Sequence, residues 1–445
     1  MWGFIVLTNR LPDDIQQAEV DTVCFALPAA YGRLMGKRYD AAHVRSHPDM
    51  EIRISELVLA CDARMGLIPE LSGTLASGHG DILLMPDWET ARQLPWARNE
   101  AIVICDAALS DRTLIEIAPR TILKTQIARL HHVGLNARMA SELEFYLLEP
   151  GPDGGPSSHE RLRINAAEHC PDNHLLRASR HEPVIRQMRQ ALTDLSIDVE
   201  YSKSEGGRGQ YEIVIGHAEP LVMADRHALY KYSVKEIARR NGLVATFIPK
   251  LSEYDDGSGG HVHCSLQDAD GKSRATGTDP ASGLPPMLAR FLAGLCTTSG
   301  DFCAFFTPTT NAYKRLNGGA LAPTESSWSL DDRTSALRVI GSGPNRRVEN
   351  RIPGADMNPY LAFGAILAGG LTGIERDLSL PEPSWRAPLP HDLRNAVERF
   401  AMSADARKAF GETVVEFYAR LIGWEVDQAS RSVSDWERSR YLVEV

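Results

Sequence analysis

The chain has 445 residues, with 48 Lys+Arg against 58 Asp+Glu, a formal net charge of −10 at pH 7. Its 43% hydrophobic and 24% charged residues are ordinary for a soluble globular protein and exclude a disordered chain, a collagen-like repeat and an integral membrane protein. The length points to two or three domains, and the acidic balance argues against nucleic acid or an anionic membrane surface as partner, both of which need a basic footprint.

Along the chain, Met1 to Arg10 holds a short apolar run (Phe4 to Leu7) with no basic segment before it and no small-residue cleavage site, so no signal peptide is expected. Ile82-Leu83-Leu84 and Ile102-Val103-Ile104 read as strands. A polar stretch over 106–119 ends in Ala118-Pro119-Arg120, and Ile122 to Leu130 then reads as an amphipathic helix. A boundary there separates an N-terminal unit, 1–110, from a larger unit, 111–445. The larger unit mixes strands at Leu143 to Leu148, Tyr211 to Ile215 and His261 to Leu266 with helical patterns over Ala224 to Asn241 and Ala396 to Leu421. The class is α+β.

Pro150 to Ser158 is a loop by its Gly/Pro density. Met357 to Ile374 is weakly polar but interrupted by Asn358, Pro359 and Gly369-Gly370, which predicts a buried small-residue helix, not a membrane span. The cysteines at 24, 61, 105, 170, 264, 296 and 303 are odd in number and form no CxxC pair. Reduced, mostly buried thiols in a cytoplasmic protein are expected.

Acids occur where half-buried strands rarely carry them. In Ser141-Glu142-Leu143-Glu144-Phe145 the two glutamates are i and i+2, on one face of a strand. Glu205 and Glu212 flank a glycine-rich turn and the strand it enters. Asp256-Gly257-Ser258-Gly259-Gly260-His261-Val262-His263 again puts two histidines on one face, and Arg346-Arg347-Val348-Glu349-Asn350-Arg351 alternates cation and anion. Singly these are ordinary: an ExE is usually a solvated edge, and an arginine run is usually an exposed ion-paired face.

Together they describe a cation site. Clustered carboxylates without cations repel and raise one another's pKa. Oxygen ligands with an imidazole suit Mg²⁺ or Mn²⁺ better than Zn²⁺. Five glutamates and two divalent cations nearly balance, and Arg333, Arg338, Arg346, Arg347 and Arg351 suit phosphate oxygens. Metal and arginine around a phosphoryl group mean phosphoryl transfer.

The ordered motifs SELEF (141–145), GQYE (209–212), TFIPK (246–250), SGGHVHCSL (258–266), NAYKRL (311–316), RTSALR (333–338), RVENR (347–351) and NPYLA (358–362) resemble the glutamine synthetase superfamily. Gly36-Lys37-Arg38, Met85-Pro86-Asp87, Pro95-Trp96 and Trp436-Glu437 extend the likeness over nearly the whole chain. The resemblance implies an N-terminal β-grasp domain and a catalytic domain with an antiparallel half-barrel sheet. It also implies ring-shaped homo-oligomers, a dodecamer of two hexameric rings, with active sites between subunits. The implied reaction uses ATP to convert L-glutamate to γ-glutamyl phosphate, from which an amine displaces phosphate.

Carried over by motif, Glu144, Glu205 and Glu212 resemble the ligands of one Mg²⁺ or Mn²⁺, and Glu142, His261 and Glu349 those of another. Arg315 and Arg351, with Gly257 and His261, look like the glutamate site. Arg333, Arg338 and Arg347 match phosphate-binding positions, and His263 and Ser265 match the nucleotide side. Arg315, Arg333 and Asp256 are taken as catalytic.

One position departs. Ammonia-using members close the site with a flap that carries a glutamate; here the stretch is Gly318-Gly319-Ala320-Leu321-Ala322-Pro323, with Leu321 in that place. Ammonium has no hydrocarbon body and must be held by charge. A leucine removes a negative charge and offers apolar surface worth about 1.5–3 kcal/mol when buried against a ligand. The flap and the segments around Trp328 and Asp356 resemble the γ-glutamylputrescine synthetase branch, although Asp332 and Ala312 differ from its usual Asn and Ser. An amine that carries carbon is expected, with an ammonia-using synthetase and a non-catalytic ring-forming member as the alternatives.

Overall fold

The computed structural model describes residues 20–71, 80–97, 99–150, 162–163, 172–278, 283–318 and 321–445. Met1 to Arg10, nearly all of the 150–158 loop, Cys170 and Gly319-Ala320 lie outside them.

Near the N-terminus, strands β1 (Thr22–Pro28), β2 (Leu34–Asp40), β3 (Ile52–Ser55), β4 (Asp81–Pro86), β5 (Arg92–Gln93) and β6 (Glu100–Ala108) form one sheet. Its order is β2-β1-β6-β4-β3, with β5 against β6. The pair β1–β6 is parallel and the others are antiparallel. From Ala101 to Ala108 β6 is buried on both faces, which is why it reads as a continuous apolar run and not as an alternation.

The rest of the chain adds β7 (Leu135–Ser141), β8 (Glu144–Pro150), β9 (Leu162–Arg163), β10 (Val199–Ser204), β11 (Gln210–Ile215), β12 (Val244–Thr246), β13 (Val262–Asp268), β14 (Glu325–Ser326), β15 (Trp328–Leu330), β16 (Leu337–Ile340), β17 (Arg347–Asn350) and β18 (Ala387–Pro388). One five-stranded sheet runs β10-β11-β8-β12 with β9 on β8, a second runs β15-β16-β17-β13-β7, and β14 pairs with β18. Every pairing here is antiparallel except β15–β16.

The main helices are α1 (Pro119–His132), α2 (Glu182–Asp194), α3 (Pro220–Arg240), α4 (Pro286–Thr298), α5 (Thr310–Gly318), α6 (Pro359–Glu375), α7 (Leu393–Met402), α8 (Ala404–Phe410) and α9 (Glu412–Arg431). Asn358 caps α6 by accepting from Tyr360 N at 3.1 Å, with Pro359 at the first helical position, and the helix is buried from Pro359 through Gly373. Among the described residues no helix is long and apolar enough to cross a membrane. The six described cysteines are free, and all but Cys24 are buried.

The single helix read over Ala396 to Leu421 is corrected to three. Ser403 Oγ accepts from Ala406 N at 3.1 Å and starts a new helix, and Gly411 at φ +87° breaks the chain again, a backbone conformation that side chains disfavour. The apolar period continues across both breaks because all three pieces present one face to the core.

Arg120, at the start of α1, is 1% exposed and joins the N-terminal sheet to the rest. Its guanidinium lies 2.6 Å from Asp87, 2.8 Å from Asp106 and 2.9 Å from Asp225 of α3. Such a matched buried group costs little as long as every partner stays. Its isolated position in the sequence carries no sign of this.

The segment Ser141–Glu144 belongs to neither five-stranded sheet alone. It runs on from β7 into β8, and Glu142 N and Glu144 N donate to His261 O (2.9 Å) and Gly259 O (3.1 Å). This bent crossing brings the two sheets' polar edges together.

Candidate active site

At the crossing, His261 and His263 lead into β13 on one face, as the period of two requires. Glu142 Oε1 lies 2.8 Å from His263 Nε2, and Glu142 Oε2 lies 3.6 Å from His261 Nδ1. Glu349 of β17 stands across from His263 in the ladder, with Oε1 3.7 Å from His261 Nδ1. One ligand atom each from Glu142, His261 and Glu349 falls within 4.8 Å of the others. Arg351 (2.6 Å) and Arg338 (3.0 Å) both donate to Glu349, which is 1% exposed. Burial pushes both carboxyls up. The histidines outweigh it at Glu142, and the histidines with Arg351 outweigh it at Glu349, so both are held below the usual range.

The second group is built from the other sheet. Glu144 Oε2 accepts from Gly259 N at 2.8 Å and Gln210 Nε2 at 3.2 Å. Only glycine fits at 259, because a Cβ there would stand 2.6 Å from His261 Nε2 and 3.0 Å from Glu144 Oε1. Glu212 of β11 sits directly opposite Glu144 in the ladder, a like-charge pairing that a sheet does not tolerate without compensation. The turn before β11 is closed by Glu205 N donating to Gln210 O at 3.0 Å.

Burial first, then Glu144, raises the Glu205 carboxyl to about 7. Burial first, then Glu142, Glu205 and Glu144, raises Glu212 to about 9. Carboxylates gathered beside an imidazole, two of them with ionisation opposed by their neighbours, are the donor set of a hard divalent cation.

Above the carboxylates, three consecutive carbonyls are held by side chains. Lys250 donates to Asp255 O (2.5 Å), Tyr146 to Asp256 O (2.7 Å) and Gln210 to Gly257 O (3.0 Å). The Asp256 carboxylate is exposed. Buried Arg315 donates to Ile352 O (2.9 Å) and Arg351 O (3.1 Å), and so braces the turn that carries Arg351. Arg351 Nε is buried without a partner among the described residues, a donor available to a bound carboxylate.

Arg347 Nε reaches His263 Nδ1 at 3.3 Å, and Ser265 continues the His261–His263 face. Arg338 also pairs with Asp331, whereas Arg333 is exposed in the turn before β16. Leu321 is 54% exposed on the segment after α5. The sequence reading missed Lys203, whose ammonium is 2.6 Å from Glu205, although it lies two residues before that glutamate on a strand and the period of two could have found it. It also missed Lys250, five residues from the carbonyl it anchors, and Tyr146, which is far from its carbonyl in sequence.

Residues 116–441 match the family model for the glutamine synthetase catalytic domain. The chain belongs to the glutamine synthetase family. Within it, this member is 36% identical to the gamma-glutamylethanolamide synthetase GlnA4 of Streptomyces coelicolor, over 96% of this chain and 93% of that one. It is 34% identical to a glutamate–isopropylamine ligase of a Pseudomonas species, over 97% of each chain. A solved structure described as apo GmaS without ligand superposes at a TM-score of 0.85 with 27% identity, covering 98% of this chain and 100% of that one.

Proposed function

We propose that this chain is an ATP-dependent ligase that joins the γ-carboxyl of glutamate to an organic amine, a polyamine or small alkylamine, through γ-glutamyl phosphate. The observation that carries the reading is the arrangement around Glu349, which the His261 imidazole, the neighbouring Glu142 and the guanidinium groups of Arg338 and Arg351 all approach. The two relatives with organic amines in their names support the same acceptor class.

In this reading Glu142, His261 and Glu349 hold one divalent cation and Glu144, Glu205 and Glu212 a second. Bound Mg²⁺ or Mn²⁺ supplies positive charge to the phosphoryl oxygens in transfer. Arg338, Arg347 and exposed Arg333 bear on the phosphates, where guanidinium forks match the oxygens and the charge spread over them. His263 and Ser265 face the nucleotide. Arg351, with its unpaired Nε, receives the glutamate α-carboxylate with Arg315 behind it, and His261 and the Gly257 carbonyl border the rest of that substrate. Asp256 offers an exposed carboxylate at the mouth, beside the reacting group.

Leu321 meets the carbon of the amine where an ammonia site needs a carboxylate. Leu321→Glu raises the kcat/KM of ammonia relative to organic amines by about 10-fold to 100-fold, the worth of the exchanged apolar contact. Phosphate release with glutamate, ATP and a panel of diamines, alkylamines and aminoalcohols tests the whole reading. Ammonia outperforming every organic amine makes the chain an ordinary glutamine synthetase, and no amide from any amine makes it a non-catalytic member.

The proposal extends to assembly: a β-grasp domain over 1–110, a catalytic domain over 111–445, and a cytoplasmic dodecamer of two hexameric rings with inter-subunit sites. The parallel β1–β6 pair at the centre of a mixed sheet, and the exposure of Leu321 in a single chain, support it. Light scattering on the purified protein measures the subunit count.

A further inference from the structure

Arg208 sits in the glycine-rich turn between Glu205 and Glu212, and its guanidinium crosses to a segment 47 residues further on. Nε lies 3.0 Å and Nη2 3.4 Å from the two carboxylate oxygens of Asp255. The Asp255 side chain is 1% exposed, and its carboxylate also accepts from the Ser252 hydroxyl at 2.6 Å. Among the described residues, Arg208 is the one cation paired with that carboxylate. Asp255 stands in the loop 251–256, whose two ends are closed by the Lys250–Gly257 bridge. The tip of the loop is free, with Tyr254 83% exposed, but its inner edge is laced to the glycine-rich turn. Gln210 donates to the Gly257 carbonyl at 3.0 Å. The turn also passes so close that a Cβ at Gly206 would collide with the Asp256 carboxylate, and one at Gly207 with the Tyr146 hydroxyl.

We propose that Arg208 is a positioning residue that clasps the loop 251–256 to the turn between Glu205 and Glu212, and so holds the Gly257 carbonyl beside the substrate glutamate. This rests on the ligase reading above. A guanidinium fork on a carboxylate fixes orientation as well as distance. Without it a buried carboxylate is left uncompensated, and the loop relieves that by turning Asp255 toward water. The carbonyls of Asp255, Asp256 and Gly257 are consecutive, so a loop that turns at Asp255 also rotates the peptide that presents Gly257. Among the described residues no hydrogen bond joins this loop to His263 or Ser265 on the nucleotide side. The clasp therefore acts on glutamate and not on ATP.

Steady-state phosphate release by the full chain, with saturating Mg²⁺ and the best amine of the panel, tests this by varying glutamate and ATP separately. Arg208→Met raises the KM of glutamate about tenfold, the scale of one lost charge-assisted hydrogen bond, and moves the KM of ATP less than about twofold. Arg208→Lys, which keeps the charge but not the fork, gives a smaller rise. Asp255→Asn raises the KM of glutamate as well. Combining Arg208→Met with Asp255→Asn raises it no further than the larger single effect, because both substitutions remove one interaction.

An Arg208→Met variant with a lower thermal midpoint and an unmoved KM for glutamate shows a merely structural ion pair and overturns the proposal. So does a variant in which the KM values of glutamate and ATP rise together, or a double variant in which the single effects multiply. If the Met variant fails to fold by circular dichroism, Arg208→Gln carries the same test. An active wild type with an unresponsive Arg208 variant refutes the clasp alone. No amide from the wild type with any amine refutes the ligase reading and this inference with it.

Discussion

Glu142 and Glu349 are held as carboxylates by partners that the protein supplies, two histidines and two arginines. Glu205 and Glu212, close by in space, are pushed the other way, to about 7 and about 9, with Lys203 as their one ion-pair partner among the described residues. Both pairs are largely buried, so burial is not what separates them. The difference is in the counter-charge that the neighbouring strands carry. A carboxylate matched from within is ready for a cation at any physiological pH, and an unmatched one must first give up a proton.

Breaking the matched half has the largest effect. Glu349→Ala removes a ligand and leaves Arg338 and Arg351 without their carboxylate, and turnover falls by at least about 10³-fold, on the scale of lost electrostatic stabilisation. Phosphate release measures the loss, and light scattering against the wild type shows that the proposed assembly is unchanged. Wild-type turnover in that variant refutes the assignment of Glu349.

Glu212→Gln, in the unmatched half, is milder. The second Mn²⁺ binds about 10-fold to 100-fold more weakly while the first is unchanged, and titration of the ion distinguishes the two. Loss of both ions together would mean that the halves are one site.

The smallest effect is on stability and reads the comparison through pH. Glu205 and Glu212 have folded pKa values above their unfolded ones, so their contribution is fully present below the unfolded value and is lost as pH rises through the folded ones. Without divalent cations the stability falls as pH rises from about 4.5 to about 9, by a few kcal/mol in order of magnitude and seen as a falling thermal midpoint, and saturating Mg²⁺ abolishes the fall. A midpoint that is flat with pH in chelator shows that the carboxylates are not opposed to one another.

Much of this was legible in the chain. The short apolar runs at 82–84 and 102–104 became β4 and β6, and the His261–His263 spacing put both rings against Glu142. Such features depend on local periodicity, which strand geometry transmits directly. The breaks at Ser403 and Gly411 were hidden because three helices share one apolar face, and the apolar signal outweighed a capping serine and a glycine. Lys203 escaped attention because a single lysine on a strand is ordinarily a solvated side chain; its spacing to Glu205 was legible, and only the β10–β11 register sets it opposite Glu212.

By itself the sequence determined which residue types the candidate site contains, the order of their motifs, and the presence of a leucine at position 321. Those are chemical identities, and no folding is needed to read them. Tertiary structure alone decided which carboxylate meets which cation. Glu142 and Glu144 are two residues apart, yet the crossing between two sheets sends one toward two histidines and sets the other opposite a second glutamate. Ion pairing falls off over a few ångströms, so it is settled by strand register and packing between distant segments, which no local pattern encodes.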